Sequence, residues 1–309
     1  MNPADHRLQF LRRLALLCAV MVLAVTSLSA YLRLSKAGLG CADWPQCYGQ
    51  TLRQLQQGVA VSTEEQTATA AARLLHRIVA VIALLLVIMM VMVCFGSKPL
   101  LWSQGALALA LLALALFLAV LGRWSSSARV PAVTMGNLLG GFAMLALCAR
   151  LAMAGQAPRV LRPRFWVVAA LVLLVAQVAL GGLVSASFAG LSCSSGWLEC
   201  AQAARGVGWD TLDPWREPVL AAAPPFNPAG ALAQALHRGL ALALALVLVP
   251  LAVAALRQGR PRIGAVLLVL LALQVLIGVV MTQSSLPLVF ALLHNLLGAG
   301  LLVALALLL

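Results

Sequence analysis

The chain has 309 residues, of which 63% are hydrophobic and 9% are charged, and its mean hydropathy is +1.03. A soluble domain needs more charge than this to cover its surface, so the composition excludes an ordinary soluble protein and indicates an integral membrane protein. The net charge of +13 would suit nucleic-acid binding. Because the basic residues are grouped between the hydrophobic segments, however, membrane topology accounts for them better.

Eight apolar segments are each long enough to cross a bilayer, for which a helix needs about 20 residues. In chain order they occupy roughly residues 14–34, 74–95, 102–122, 131–153, 165–186, 231–255, 263–283 and 286–309. These segments lack the alternation of apolar and polar residues that is typical of outer-membrane β-strands. The first segment follows arginines, as a cleavable signal peptide does, but we favour a retained helix.

The basic residues indicate how the chain is oriented in the membrane. They are concentrated in the N-terminal tail and in the even-numbered connections between the segments. The residues are Arg7, Arg12, Arg13, Lys98, Arg150, Arg159, Arg162, Arg164, Arg257, Arg260 and Arg262. The positive-inside rule therefore places both termini in the cytoplasm. We predict a multi-pass protein of the bacterial inner membrane, with long outer loops at about 35–73 and 187–230.

Each of these long loops contains one pair of cysteines, Cys41 with Cys47 and Cys193 with Cys200. Close cysteines on the oxidising side of a membrane tend to form a disulfide. Either pair could be a structural staple, or it could pass electrons by thiol–disulfide exchange. A zinc site is less favoured, because the loops lack histidine and the spacings exceed the usual two to four residues. The other cysteines are predicted to be buried apolar filler: Cys18, Cys94 and Cys148.

The two halves of the sequence resemble each other in three places, in the same order. "YLRLSKAGLGC" resembles "GGLVSASFAGLSC", "LLHRIVAVIALLL" resembles "ALHRGLALALALV", and "VTMGNLLGGFAML" resembles "FALLHNLLGAGLL". The separations are similar, for example 237 − 76 = 161 for the histidines and 193 − 41 = 152 for the leading cysteines. Such a repeat indicates a duplicated four-helix unit with both copies in one orientation. We predict an all-α integral membrane fold of two tandem, pseudo-symmetric four-helix bundles, 1–155 and 156–309.

Three of the four histidines lie inside the predicted spans: His76, His237 and His294. Each lies within about two turns of the outer end of its helix, and ionisable residues within a membrane usually mark a functional site. His237 and His294 are two helices apart in one bundle, so we predict that they face each other as the axial ligands of a haem. Arg77 and Arg238 directly follow histidines and are candidate partners for haem propionates.

The first half of the chain lacks one member of this histidine set. His76 is the counterpart of His237, but the place of His294 falls on Gly136 by the "NLLG" match, or on Asn137 if the register shifts by one. Neither is a normal haem ligand. The first half could then hold a haem by one axial ligand, and an open iron position suits oxygen chemistry or substrate processing.

These features resemble the haem A synthase family, membrane enzymes that oxidise haem O to haem A for cytochrome oxidase. The most specific part is "RLSKAGLGCADWPQCYG", which is similar to the family's outer-loop signature R-L-(x)₃-G-L-G-C-x-D-W-P-x-C, and the "LHR" and "LHN" strings match its histidine positions. The resemblance implies a b-type haem on His237 and His294. It implies haem O as the substrate, with His76 as one ligand, and stepwise oxidation of a ring methyl through an alcohol to a formyl group. It also implies redox activity for Cys41 and Cys47. We expect this pair to lie close above the outer end of His76 and its bundle.

Two residues depart from the family pattern. Arg73 stands where the family has a glutamate, three residues before His76, and the nearest acids are Glu64 and Glu65. Asn137 stands where the family has a fourth histidine. A non-catalytic b-type cytochrome or an oxidase assembly factor therefore remains an alternative to a synthase. A transporter is less favoured, because we find no Gly/Pro-interrupted helix pair and no buried carboxylate.

The expected partners follow from the same resemblance. They are the substrate haem O, a haem O-producing enzyme, an external thiol or quinone and the membrane lipid, and nucleic acid is excluded. Assembly into a homo-oligomer is left open.

Overall fold

A computed structural model describes residues 3–59, 69–124, 129–156, 164–193, 196–220 and 227–309. Four residues used above lie outside these ranges: Glu64, Glu65, Arg159 and Arg162. All regular elements in the described residues are helices, and eight of these helices are long and apolar enough to cross a membrane. The predicted all-α, eight-span class is therefore confirmed.

The eight long helices are α1 Pro3–Lys36, α3 Ala70–Phe95, α4 Trp102–Trp124, α5 Pro131–Ala152, α6 Arg164–Ala186, α8 Ala231–Arg257, α9 Pro261–Gln283 and α10 Leu288–Ala306. Two shorter helices, α2 Gln50–Gln56 and α7 Trp197–Arg205, lie in the long loops. Single 3-10 turns occur at Trp209–Leu212 and Pro228–Gly230. Most boundaries agree with the predicted segments to within four residues.

The largest difference is at the start of α1, which begins at Pro3 and not near residue 14. The arginines that interrupt the apolar pattern do not interrupt the helix, because their guanidinium groups bind backbone carbonyls at the ends of other helices. Arg7 donates to the carbonyl oxygens of Val93 at 2.5 Å and Pro99 at 2.8 Å, and Arg12 Nε donates to that of Ala154 at 2.5 Å. Cations near the C-terminus of a helix also interact favourably with its dipole.

The long helices pack as two rings of four. In the first ring α1 packs on α3, α3 on α4, α4 on α5, and α5 on α1; in the second, α6 packs on α8, α8 on α9, α9 on α10, and α10 on α6. Helices α3 and α5 therefore lie across the first ring from each other, and α8 and α10 lie across the second. The halves meet through α1, α5, α6 and α10. The division at residues 155 and 156 falls beside the undescribed segment 157–163 and stays a prediction.

The burial pattern repeats along with the sequence. The buried residues Ala83, Val87, Met90 and Cys94 of α3 correspond, 161 residues later, to the buried residues Leu244, Leu248, Leu251 and Ala255 of α8. Their spacing of alternating four and three residues forms one helical stripe. Toward the N-terminus of each helix, the same stripe continues to His76 in α3 and to His237 in α8. Both histidines therefore lie on the side of the helix that faces the interior of its half.

The two long loops lie at the same end of the molecule, which we call the long-loop face. Gln56 Nε2 of the first loop donates to the carbonyl oxygen of Pro218 in the second loop at 3.0 Å. Ala132, at the start of α5, donates its N–H to the carbonyl oxygen of Pro214 at 2.7 Å. The loop of the second half is thus attached to helices of the first half.

Candidate functional site

Four positions lie at the same depth below the long-loop face. His76, Asn137, His237 and His294 are each six residues after the first residue of their helices, which begin at Ala70, Pro131, Ala231 and Leu288. At 1.5 Å per residue this depth is about 9 Å. The predicted match in histidine depth is therefore present in the structure.

The second half brings His237 and His294 together across its ring of helices. Their imidazole centroids are 6.4 Å apart, with an angle of 63° between the ring planes. An imidazole nitrogen binds a metal at about 2.0–2.1 Å, so two rings on one ion have centres roughly 6 Å apart. This pair has the separation that two axial ligands of one metal ion need.

Two glutamines that the sequence reasoning missed lie beside these histidines. Gln177 Nε2 of α6 is 3.3 Å from His237 Nε2, and Gln274 Nε2 of α9 is 3.1 Å from His294 Nε2. Both glutamines lie deep within apolar spans, where a side-chain amide needs a partner. That isolation in the sequence was a signal that could have identified them.

The polar atoms around the two histidines fit a site built for a ligand. Among the described residues, Nδ1 of His237 and His294 and Oε1 of Gln177 and Gln274 are buried and have no hydrogen-bond partner. A buried polar group without a partner costs about 1–3 kcal/mol. A metal ion takes a ring nitrogen as ligand, and the other ring nitrogen then donates its N–H to an acceptor. The described part of the chain holds no group of three or more His, Cys, Asp or Glu residues suited to a metal ion. The pair could supply two ligands to a metal centre that brings its other ligands with it.

The first half presents one histidine at the corresponding depth. His76 is half-buried, while Arg73 and Arg77 on the same turn are exposed. Arg73 interacts with another group. Arg77 lies close enough to His76 for its positive charge to act on the imidazole. The propionate role expected for Arg77 stays a prediction.

The structure resolves which residue of α5 is the counterpart of His294. A shift of 294 − 137 = 157 residues superimposes five buried positions of α5 on five buried positions of α10. These are Gly141, Phe142, Met144, Leu145 and Cys148 against Gly298, Ala299, Leu301, Leu302 and Leu305. The "NLLG" match implies a shift of 158 and would pair buried Phe142 with half-buried Gly300. Gly136 also faces α4, since a Cβ there would lie 2.9 Å from Leu121. Asn137 is therefore the counterpart.

The loop with Cys41 and Cys47 contacts the second half of the chain, whereas we expected it above His76. Trp44 Nε1 donates to the carbonyl oxygen of Ser285 at 2.7 Å, in the turn before α10. The Tyr48 ring lies 5.6 Å from that of Phe188, and burial raises the pKa of the Tyr48 hydroxyl. Leu39 packs in one cluster with Leu286, near Ala291, which precedes His294 by one turn. This loop therefore lies over the end of the helix that carries His294.

Both loop pairs lie at disulfide-bonding distance. The Cα atoms of Cys41 and Cys47 are 6.8 Å apart, and those of Cys193 and Cys200 are 5.0 Å apart, both within the usual range. Arg238, on the turn of His237, donates to the carbonyl oxygen of Cys193 at 2.8 Å. The second loop is thereby held to α8. The other three cysteines are buried and free, as predicted: Cys18, Cys94 and Cys148.

Gly38→Ala is expected to disturb the first cysteine pair. Gly38 has φ +99°, which side chains rarely adopt, and a Cβ there would lie 2.5 Å from the carbonyl oxygen of Cys47. Gly58→Ala is a matched control, because Gly58 has φ +74° but a Cβ there meets no atom within 4 Å. The control carries only the backbone cost of about 1–2 kcal/mol. Maleimide labelling and mass spectrometry should find more free Cys41 and Cys47 in Gly38→Ala. Equal labelling of the two variants would contradict the prediction.

The match to a family model decides to which family this architecture belongs. The model, described as "Cytochrome oxidase assembly protein" and called COX15-CtaA, matches residues 12–306. The chain belongs to the COX15-CtaA family. A relative from Shewanella oneidensis, named "Heme A synthase", is 29% identical over 191 residues. The alignment covers 57% of this chain and spans 57% of that relative's length. The predicted family resemblance is therefore confirmed.

Proposed function

We propose that this COX15-CtaA chain is a membrane oxidoreductase that oxidises a methyl group of haem O to the formyl group of haem A. The observation that carries the proposal is the facing pair His237 and His294, with ring centroids 6.4 Å apart at the same depth below the long-loop face. The name of the Shewanella relative supports the same activity. The oxidation proceeds stepwise: the methyl group and water give the alcohol with loss of two electrons and two protons, and the alcohol loses two more of each to give the formyl group. The electrons pass to the external redox partner proposed below.

The second half is proposed to hold a resident b-type haem. His237 and His294 would be its axial ligands, and a haem ligated by two imidazoles supplies electron transfer. Arg238 is proposed as a propionate partner on the long-loop side. Gly181 and Gly278 leave space beside the imidazoles, because a Cβ at either position would lie 3.0 or 3.1 Å from a histidine Cε1. The chain's own contribution is to exclude water from the ring nitrogens and to hold the two rings in place.

The first half is proposed to bind the substrate haem O, with His76 as its one imidazole ligand. Asn137 lies across the ring of helices at the same depth and offers an amide where a second imidazole would stand. With a single imidazole, the substrate is held less tightly than a cofactor ligated by two, which suits a molecule that must leave after reaction. Arg77 is proposed to pair with a propionate of this substrate.

The first cysteine pair is proposed as a redox-active disulfide. Cys41 and Cys47 lie at the long-loop face, which the positive-inside rule places outside the inner membrane of a bacterium, with the N-terminus in the cytoplasm. An external thiol or quinone would exchange electrons with this pair, and a haem O-producing enzyme would supply the substrate. The pair Cys193 and Cys200 is proposed as a structural disulfide.

The test is to express the chain in membranes that supply haem O, purify it, and separate the extracted haems by chromatography. Haem A or its alcohol precursor, lost in His76→Ala, is the expected result. The absence of both products, with haem O bound and unchanged, would contradict catalysis. Absence of any haem would contradict the whole proposal.

A non-catalytic b-type cytochrome or assembly factor is the second candidate. The observation that favours it is that Asn137, and not a histidine, is the counterpart of His294 in the first half. In that case the extraction would yield haem B alone, with a two-imidazole spectrum.

A further inference from the structure

The helices next to the two facing histidines carry the same short motif. Residues 177–181 of α6 read "QVALG", and residues 274–278 of α9 read "QVLIG". In a helix, residues four apart lie on the same face, one turn apart. Each motif therefore presents an amide and a glycine to whatever packs on that face.

In both helices the residue that packs there is a histidine. Gln177 Nε2 lies 3.3 Å from His237 Nε2. A Cβ added at Gly181 would lie 3.0 Å from His237 Cε1. In the same way, Gln274 Nε2 lies 3.1 Å from His294 Nε2, and a Cβ added at Gly278 would lie 3.1 Å from His294 Cε1. The two imidazoles thus lie in matching cradles, each built by one neighbouring helix.

The amides are not satisfied by these contacts alone. Each glutamine keeps a buried Oε1 without a partner among the described residues, and each histidine keeps a buried Nδ1 without one. A side-chain amide can be turned end for end, so it can donate to a ring nitrogen or accept from a ring N–H. When a metal takes one ring nitrogen, the remaining N–H needs an acceptor, and the amide oxygen is the group in reach.

We propose that Gln177 and Gln274 are positioning residues for the haem of the second half. Each amide oxygen accepts the N–H of the imidazole beside it, which fixes the tautomer and the rotation of that ring before and after the haem binds. This inference rests on the proposed haem site and adds to it the groups that orient both ligands. Changes to such orienting groups typically weaken metal binding about 10–100-fold.

The first half of the chain has no equivalent pair. Helix α1 contains only Gln9 and helix α4 only Gln104, and both lie near the face opposite to the long loops. His76 consequently lacks the preorganisation given to His237 and His294. We infer that the second half retains its haem as a cofactor, while the first half releases its haem as a substrate and product.

The test compares full-length chains purified with their haem: wild type, Gln177→Leu, Gln274→Leu, Gln177→Glu and Gln274→Glu. The matched control is Gln283→Leu, which changes an exposed glutamine of the same helix, α9. We expect the leucine variants to lose haem b to an acceptor globin at least tenfold faster than wild type. We expect the isosteric glutamate variants to retain haem, because a carboxylate still accepts the N–H.

The reduction potential is the second readout. A carboxylate beside the ligand favours the ferric state, so the glutamate variants should shift the redox equilibrium toward ferric haem about tenfold. For a one-electron couple that shift is about 59 mV to lower potential. If all four variants lose haem at the wild-type rate and have the wild-type reduction potential, the inference is overturned. The proposed haem site itself would then still stand. A wild type that carries no haem b would overturn the proposed site and this inference together.

Discussion

Replacing His237 or His294 by alanine is expected to remove the two-imidazole haem spectrum of the purified chain. The rings face each other across 6.4 Å, and no third histidine of the described chain lies in that half to replace a lost ligand. The affinity for haem b should fall by more than the roughly 10–100-fold that follows loss of a group that merely orients a ligand. Haem content and the reduced-minus-oxidised absorption spectrum measure both effects.

Two other histidines serve as controls for this prediction. His6→Ala changes an exposed residue at the opposite face and should leave the spectrum and the haem content unchanged. His76→Ala should keep the spectrum of the second half and lose only the haem bound to the first. An unchanged low-spin spectrum in His294→Ala would show that the pair does not ligate the haem.

Most of the fold could be predicted from the sequence, because a membrane-spanning helix is recognised by its length and its apolar composition. The one helix boundary that the sequence predicted poorly is the start of α1. There the arginines look like a flank of the span, and only the structure shows Arg7 and Arg12 binding carbonyls at distant helix ends. Contacts between residues far apart in the sequence leave no local pattern, so apolarity alone places the boundary too late.

The candidate site likewise contains features set by local sequence, which were predictable, and contacts between distant residues, which were not. The depth of His76, His237 and His294 follows from helix starts and was predictable. The loop with Cys41 was expected above His76 and its bundle. Its tryptophan and tyrosine instead contact Ser285 and Phe188 of the second half. Sequence order does not say which bundle a loop covers, since the two bundles lie side by side.

The position of this loop bears on how electrons would move. The pair Cys41 and Cys47, which we propose to be redox-active, lies over the start of α10, and His294 is six residues further along that helix. The disulfide is therefore better placed to exchange electrons with a haem of the second half than with the substrate on His76. Electrons released by oxidation of the substrate would then pass through the resident haem to the disulfide, and from there to the external redox partner.

Gly181→Ala and Gly278→Ala are expected to weaken haem retention while stabilising the helices. An added Cβ would lie 3.0 Å from His237 Cε1 or 3.1 Å from His294 Cε1, so the imidazole must move by a few tenths of an ångström. The shift misaligns both the ring and its bond to the neighbouring amide. We expect haem loss to be about tenfold faster, at the lower end of the effect of changing groups that orient a ligand.

The sign of the stability change separates this effect from misfolding. Alanine favours a helix over glycine by about 1 kcal/mol, so the haem-free variants should unfold at a higher temperature than wild type, or at the same one. Gly122→Ala is the matched control, because a Cβ at this position in α4 meets no atom within 4 Å. It should gain stability and lose no haem. Equal haem retention in Gly278→Ala and Gly122→Ala would show that the glycine does not border the haem ligand. Faster haem loss in a chain with undiminished stability would therefore place the effect of the added methyl group at the haem ligand, which it contacts.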